Sequence, residues 1–442
     1  MPPLVALVDC SNFYVSCERL FRPDLAARPV AVLSNNDGCV VARSDEVKAL
    51  GVPMGAPYFK VRRQLQRAGC TVFSSNYALY ADVSRRVAAV LEGYGREVER
   101  YSIDEAFLTL RIGDADAGPL ADALRADVWR HTGIPVRVGL ARTKTLAKVA
   151  SEVAKRMHAP GHGPCVALLD AGTCAATLAA LPVGDVWGIG RRWAARLEAD
   201  GLRTALALAR ADLGLLRQRY SVVLARTAAE LRGISCLPLD TAPAPRKSLI
   251  RSRSFGRPVT DLSELREAVA AHAVRAAEKL RAEGLVAGAL SVFVVAGRHG
   301  RGPSYSGSAG FALSHPTQAT APLLRRALAA LDRAHRTADA SGRPYRYEKC
   351  GVELQELRPA GAAQAHLFEA EPASDGGLHD AVDGLNRRFG RGAVRWARQG
   401  VHHETLDTEG GAAWGMRRAH LSPAYTTSWA GLPRVRLDSP TR

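Results

Sequence analysis

Long apolar runs and a paired-cysteine framework are both missing from this chain of 442 residues, and acidic residues are in deficit. A membrane-spanning helix needs about 20 consecutive apolar residues, and no stretch approaches that length. The short apolar stretch near the N-terminus lacks a preceding basic region, so a secretory leader is not expected. The eight cysteines, at 10, 17, 39, 70, 165, 174, 236 and 350, form no Cys-x-x-Cys pair and no zinc-like spacing with histidine. Reduced, mostly buried thiols in a soluble intracellular protein are the expectation. The shortage of acid, 43 Asp plus Glu against 60 Lys plus Arg, leaves a formal charge of +17. Such an excess favours a polyanionic partner, nucleic acid ahead of an anionic membrane surface.

The chain exceeds one typical core and predicts about three or four domains. Its most informative feature is a set of acids. The apolar run Leu4-Val5-Ala6-Leu7-Val8 ends on Asp9, and Tyr101-Ser102-Ile103-Asp104-Glu105-Ala106-Phe107 sets two adjacent carboxylates between apolar residues. Val98, Tyr101, Ile103, Phe107 and Leu110 predict the two strands of a hairpin, so the acids fall where a sheet edge can present them together. Taken alone, an Asp-Glu pair beside a strand reads as a solvated turn. Brought together at strand ends, three carboxylates offer oxygen ligands to hard cations, and a pair of such ions suits exchange of a phosphate bond.

Along the chain, a helix is predicted over Phe13 to Leu20, broken by Arg22-Pro23-Asp24, and a second strand over Val30 to Leu33. Ser34-Asn35-Asn36-Asp37-Gly38 is a strong turn signal before Cys39 to Ala42 and a short helix from Asp45 to Leu50, which together resemble a small inserted subdomain. Leu79, Val83, Val87, Val90 and Leu91 share a helical face. Val136 to Leu140 reads as a strand and Thr143 to Met157 as a helix carrying Lys144, Lys148 and Lys155, lysines that on a helix are usually solvated. Near residue 180 the texture changes to short helices. There, Gly188-Ile189-Gly190 followed by Arg191 and Arg192 is read either as a plain interhelical turn or as a helix-hairpin-helix element whose free N–H groups hold a DNA phosphate.

Pro238 to Pro245 reads as a linker. Beyond it, four strands and two helices predict a second α+β domain, its first helix striped by Leu262, Leu265, Val269, Ala273, Ala276 and Leu280. On the strand from Ser248 to Phe255, Arg251 and Arg253 share one face by alternation, opposite Ile250, Ser252 and Ser254. They read as phosphate contacts or as an ordinary exposed sheet face.

In its motifs the chain resembles the Y-family translesion DNA polymerases, and within them the UmuC branch found in bacterial DNA polymerase V. The resemblance runs through Val8 to Tyr14, Leu33 to Ala42, Phe73 to Asp82, Tyr101 to Phe107, Thr143 to Lys148, Asp185 to Arg192, Ser252 to Gly256 and Leu421 to Thr427, nearly the whole length. It implies an α+β, multidomain right-hand polymerase: a palm over 1–22 and 78–175, fingers over 23–77, a helical thumb with the helix-hairpin-helix over 176–240, a little finger over 246–357, and a C-terminal extension over 358–442.

It further implies roles. The acids matching Asp9, Asp104 and Glu105 bind two magnesium ions with the Cys10 carbonyl, one ion activating the primer 3′-hydroxyl and the other holding the triphosphate. Tyr14 matches a steric gate against the ribose 2′-hydroxyl, Phe13 offers its N–H to the phosphates, and Lys48 and Lys155 match basic positions that contact the incoming dNTP. Two departures stand out: Asp45 occupies a position where many members carry Tyr, and Ser11 replaces a second acid, which the polymerase V branch also lacks. Primer-template DNA is the implied substrate, and low-fidelity translesion synthesis in SOS-type repair the implied role.

Gln364-Ala365-His366-Leu367-Phe368 resembles the peptide that binds the β sliding clamp, with Gln364, Leu367 and Phe368 as its contact residues. The last segment interleaves Arg387, Arg388, Arg391, Arg395, Arg398, Arg417 and Arg418 with Trp396, Trp414, Tyr425 and Trp429. Charge and stacking of this kind suit single strands, whereas the resemblance implies a UmuD′-like subunit and a RecA filament as partners, in the cytoplasm and associated with the nucleoid. A non-catalytic DNA-binding repair scaffold and a nucleotidyl cyclase on a palm-like fold are the competing readings.

Overall fold

In the computed structural model the described residues are 3–95, 97–157, 164–242, 245–297, 300, 302–362, 376–390, 392–400, 403–405 and 411–432. They form two compact units: Met1–Val32, Val40–Pro243 and Leu421–Arg442 make the first, and Leu33–Cys39 with Ala244–His420 the second.

The first unit opens with β1 (Leu4–Cys10), buried at every position, and α1 (Phe13–Leu20). A three-stranded sheet follows in the order β3-β2-β4, from β2 (Val30–Leu33), β3 (Val40–Arg43) and β4 (Thr71–Ser74), with α2 (Asp45–Ala49) and α3 (Tyr58–Arg67) between its last two strands. Then come α4 (Tyr77–Leu91), β5 (Val98–Arg100), β6 (Glu105–Leu110), α5 (Asp114–Thr132), β7 (Val136–Ala141), α6 (Lys144–Arg156) and β8 (Cys165–Leu168). The main sheet runs β5-β6-β1-β7-β8, antiparallel except for the β7–β8 pair. Central β1 is apolar on both faces because helices cover both, as one expects of a strand with no solvent side. A Cβ on Gly139 would stand 2.5 Å from Ala147 O and Ser151 N, so glycine is what lets α6 lie directly on β7.

Short helices α7 (Ala171–Ala180), α8 (Arg191–Ala199), α9 (Ala205–Arg210), α10 (Leu213–Arg219) and α11 (Val222–Leu231) complete this unit. Four of them begin at a side-chain cap: Asp170, Thr204, Asp212 and Ser221 each accept from the amide three residues on. α8 begins instead at Gly190, without one.

The second unit is a four-stranded antiparallel sheet in the order β11-β10-β12-β9, made of β9 (Ser248–Val259), β10 (Leu285–Ala296), β11 (Tyr305–Thr317) and β12 (Tyr347–Gln355). Helices α12 (Leu262–Ala282) and α13 (Thr320–Ala334) bury their apolar stripes against it. α14 (Gly376–Arg388) adds to it, with Arg281 forked onto Asp383 at 2.7 and 2.9 Å. The turn at 34–38 belongs here too: Asn36, at φ +60°, donates its amide to Ser254 O and Phe255 O and accepts from Arg417 N. The turn is where the sequence puts it, but its grouping with β9 joins residues more than two hundred positions apart, beyond what local pattern can show.

Candidate active site

The β1–β6 register sets Asp9 directly opposite Glu105, and the β1–β7 register sets it beside Arg137. Asp104 is the residue just before β6, and its carbonyl accepts from Cys10 N at 2.8 Å, which ties the acidic turn to the end of β1. Asp9 and Glu105 therefore share one corner of the sheet, both largely buried. The Asp104 carboxylate turns aside and accepts from Ser102 Oγ at 2.6 Å. Among the described residues, no three carboxylate, thiol or imidazole groups stand close enough together to enclose an ion. In this conformation two of the three acids converge, and the Asp104 carboxylate is held by Ser102 at the adjoining turn.

Both buried carboxylates carry a lysine from α6. Lys155 Nζ lies 2.8 Å from Asp9 Oδ2, with Arg137 at 3.5 Å on the other oxygen, and Lys148 Nζ lies 2.7 Å from Glu105 Oε2. Burial pushes Asp9 up to about 6 against the pull of Lys155, with Glu105 adding repulsion. For Glu105 burial also pushes upward, but the hydrogen bond and charge of Lys148 outweigh it and hold the group below its usual range.

Lys148 sits in an aromatic cage, 4.5 Å from the Tyr101 ring and 5.7 Å from those of Phe107 and Trp187, and Trp187 Nε1 donates to Tyr101 Oη at 3.1 Å. Lys144, one turn earlier, is buried against Glu99 at 2.6 Å. The expectation of solvated lysines on this helix thus fails for both. The spacing 144, 148, 155 lies on one helical face, a signal that charge alone conceals.

At the start of α1, Asn12 adopts a left-handed backbone, φ +48°. Its Oδ1 accepts from Lys48 Nζ at 2.7 Å, and Asp45 accepts from the same Nζ at 2.7 Å, so α2 delivers Lys48 to the helix start that bears Phe13 and Tyr14. Phe13 is buried. The Tyr14 ring is half-buried, stacked on Tyr80 at 4.2 Å and 16°, with Tyr77 edge-on at 6.3 Å.

Gly188, at φ +87°, makes the turn before α8, and Arg191 and Arg192 are exposed in its first turn. Arg251 and Arg253 do share one face, but register pairs them with Val352 and Cys350, and the same face carries buried Leu249 and Phe255. They line a cavity of about 490 Å³ with Arg275, Lys279, Asp380 and Trp414, on the helix-covered side of the sheet. Gln364, Leu367, Phe368 and Arg391 lie outside the described residues. Of Trp396, Trp414, Tyr425 and Trp429, Trp414 and Tyr425 are core side chains, Trp396 packs on His379 at 6.0 Å, and Trp429 is 92% exposed.

A carboxylate-bearing antiparallel corner beside a run of short helices, with a separate four-stranded α+β unit, fits the multidomain fold of a right-hand polymerase. A solved Y-family DNA polymerase chimera of Dbh and Dpo4 has this fold, with a TM-score of 0.62 at 19% identity, covering 80% of this chain and 99% of that one. More narrowly, the chain belongs to the impB/mucB/samB family, whose model matches residues 8–152 and whose C-terminal domain matches 246–367, making it a UmuC-like DNA-directed DNA polymerase. A domain of unknown function (DUF4113) matches residues 377–435. Protein UmuC of Salmonella typhimurium is 42% identical over 98% of this chain and 100% of its own length. Protein MucB of Escherichia coli is 42% identical over 97% and 99%. DNA polymerase IV of Caulobacter vibrioides is 29% identical over 88% and 92%.

Proposed function

We propose that the chain carries out template-directed, low-fidelity translesion synthesis in SOS-type repair, joining a dNTP to a primer 3′-hydroxyl at the Asp9–Glu105 corner. The observation that carries this is the register that sets Asp9 against Glu105 with Asp104 at the adjoining turn. The donor set fits magnesium: hard carboxylate oxygens, one of them on an acid whose burial exceeds its charge compensation, and lysines that supply the positive charge a divalent ion would otherwise bring. Asp9, Glu105, Asp104 turned from Ser102, and the Cys10 carbonyl would hold two ions. When bound, these neutralise the triphosphate and lower the pKa of the primer hydroxyl.

The remaining roles fall to residues of both units, most of them in the first. Lys48 and Lys155 meet the phosphates, and Lys155 must leave Asp9 to do so, which its partly exposed position permits. The Phe13 N–H, at the start of α1, faces the same charge. The Tyr14 ring lies under the sugar and rejects a 2′-hydroxyl. Gly188, Gly190 and Arg191 take template phosphates without reading sequence, and Arg251 and Arg253 would meet a phosphate at the mouth of the basic pocket.

Partners are assigned on the family resemblance: a UmuD′-like subunit, a RecA filament and, through Gln364, Leu367 and Phe368, the β sliding clamp. A cytoplasmic, nucleoid-associated location goes with these, and among the described residues no helix is long and apolar enough to cross a membrane. The deciding experiment is primer extension past an abasic site with the purified chain, with and without these partners and magnesium. Asp104→Asn should abolish extension while leaving DNA binding nearly intact. Normal extension by that variant would overturn the metal assignment, and a wild-type chain that binds DNA but never extends would favour the scaffold.

A further inference from the structure

The stretch Leu421–Leu432 is part of the first unit and is built into it at a buried polar cluster. Leu421 bridges Ser74 at the end of β4. Asn76 donates to Ser422 Oγ at 2.9 Å, to Ser422 O at 3.3 Å and to Pro423 O at 3.3 Å, and its Oδ1 caps α4 by accepting from Leu79 N at 3.2 Å. Glu18 Oε1, on α1, accepts from Tyr80 Oη at 2.7 Å and from Ser422 Oγ at 3.1 Å. Three residues further, the Tyr425 ring stacks on Phe21 at 4.5 Å and 10°, at the end of α1. Glu18, Asn76, Tyr80 and Ser422 are all nine-tenths or more buried.

The two helices so joined carry the Tyr14 ring and the two rings packed on it, Tyr77 and Tyr80. Tyr14 and Glu18 lie one turn apart on α1, and Tyr77 and Tyr80 one turn apart on α4. The face of Tyr14 rests on Tyr80, and Tyr80 cannot tilt without breaking its bond to Glu18.

We propose that Leu421–Tyr425 is a positioning element of the nucleotide site, a clasp that holds α1 against α4 and thereby sets the Tyr14 ring at the height where it senses the sugar. This rests on the reading of Tyr14 as the sugar gate. It gives a task to the end of the segment matched by the domain of unknown function. Ser422, Asn76, Glu18 and Tyr80 act through Tyr14 and touch no substrate.

The test is single-nucleotide insertion by the full chain with dNTP and with the matching ribonucleotide. Ser422→Ala and Tyr80→Phe should each lower the preference in kcat/KM for the deoxy sugar about tenfold, equivalent to about 1.4 kcal/mol, the change falling mainly on the ribonucleotide's KM. Ser422→Thr, which keeps the hydroxyl, should restore the preference. Backbone exchange at Leu79 and Tyr80 should quicken in Ser422→Ala. A purely structural role would reduce both nucleotides alike and leave the ratio unmoved, which would overturn the proposal. Tyr80→Phe keeps the ring and its stack, so it carries the test should Ser422→Ala not fold. Tyr14→Ala separates the two levels. If that variant leaves sugar choice unchanged, the gate reading has failed and the clasp with it. If it relaxes sugar choice while Tyr80→Phe and Ser422→Ala stay at the wild-type ratio, the clasp alone is refuted.

Discussion

Replacing Glu18 by Gln should flatten the pH dependence of stability between pH 5 and 8. Glu18 is buried on α1 with two neutral partners, Tyr80 and Ser422, and its second oxygen, Oε2, is buried without a hydrogen bond. Burial pushes its carboxyl up to about 7, against the lowering pull of those two hydrogen bonds. The titratable groups that sense it, the Cys17 thiol, the Tyr80 hydroxyl and the Tyr425 hydroxyl, are themselves raised by burial and stay neutral over this range. A carboxylic acid with a folded pKa above its unfolded value, 4.5, binds protons more tightly when folded. Stability is therefore full below the unfolded pKa and falls as pH rises toward the folded one. From pH 5 to 8 this single group should cost about 2 to 3 kcal/mol, taking about 1.4 kcal/mol per pKa unit. Every other titrating group is common to both proteins, so the difference between wild type and Glu18→Gln isolates the contribution. Urea denaturation at a series of pH values, followed by exchange protection of α1 and α4, measures it. Parallel curves for the two proteins would show that Glu18 is solvated in the folded chain and would refute the burial argument.

Lys144→Ala leaves Glu99 buried without its cation and should destabilise the first unit by about 3 to 5 kcal/mol in urea melts, whereas an exposed pair such as Arg22–Asp24 should give under about 1 kcal/mol. Gly139→Ala drives a methyl into the α6 backbone and should cost more than the roughly 1 kcal/mol typical of point mutants, read as a lowered melting temperature. Lys155→Ala should raise KM for dNTP about tenfold or more, the scale of losing one charge-assisted phosphate bond, with DNA affinity unchanged in a gel-shift assay. An unchanged KM would remove Lys155 from the triphosphate.

Much of the site could be read in linear order because its motifs are local. Asp9 at the end of an apolar strand and Asp104-Glu105 between apolar runs announce strand ends, and alternation sets Asp104 and Glu105 on a hairpin, whereas the placement of Asp9 opposite Glu105 comes only from the β1–β6 register. Lys144 and Lys148 on α6 depart from the solvated expectation for a physical reason. Whether a helical lysine is solvated depends on what packs over it, and Glu99, Phe107 and Trp187 come from three other segments. Arg251 and Arg253 show the same limit: alternation puts them on one face, but only the residues of α12 and α14 make that face the wall of a cavity.

The sequence by itself determined most of the elements, the family, and the position of Asp9, Asp104 and Glu105 at or beside strand ends, since all of these rest on periodicity and short motifs whose physics lies within a few residues. Tertiary structure decided which charges are buried, where Asp104 points, and that Ser422 reaches Glu18 across about 400 positions. Burial and hydrogen bonding between distant segments depend on how the chain closes on itself, because the energy of a charge or a donor is set by the neighbours that replace water around it. The motif at 421–427 and the motif at 73–82 are unrelated in the linear chain. In the fold they meet behind the ring of Tyr14.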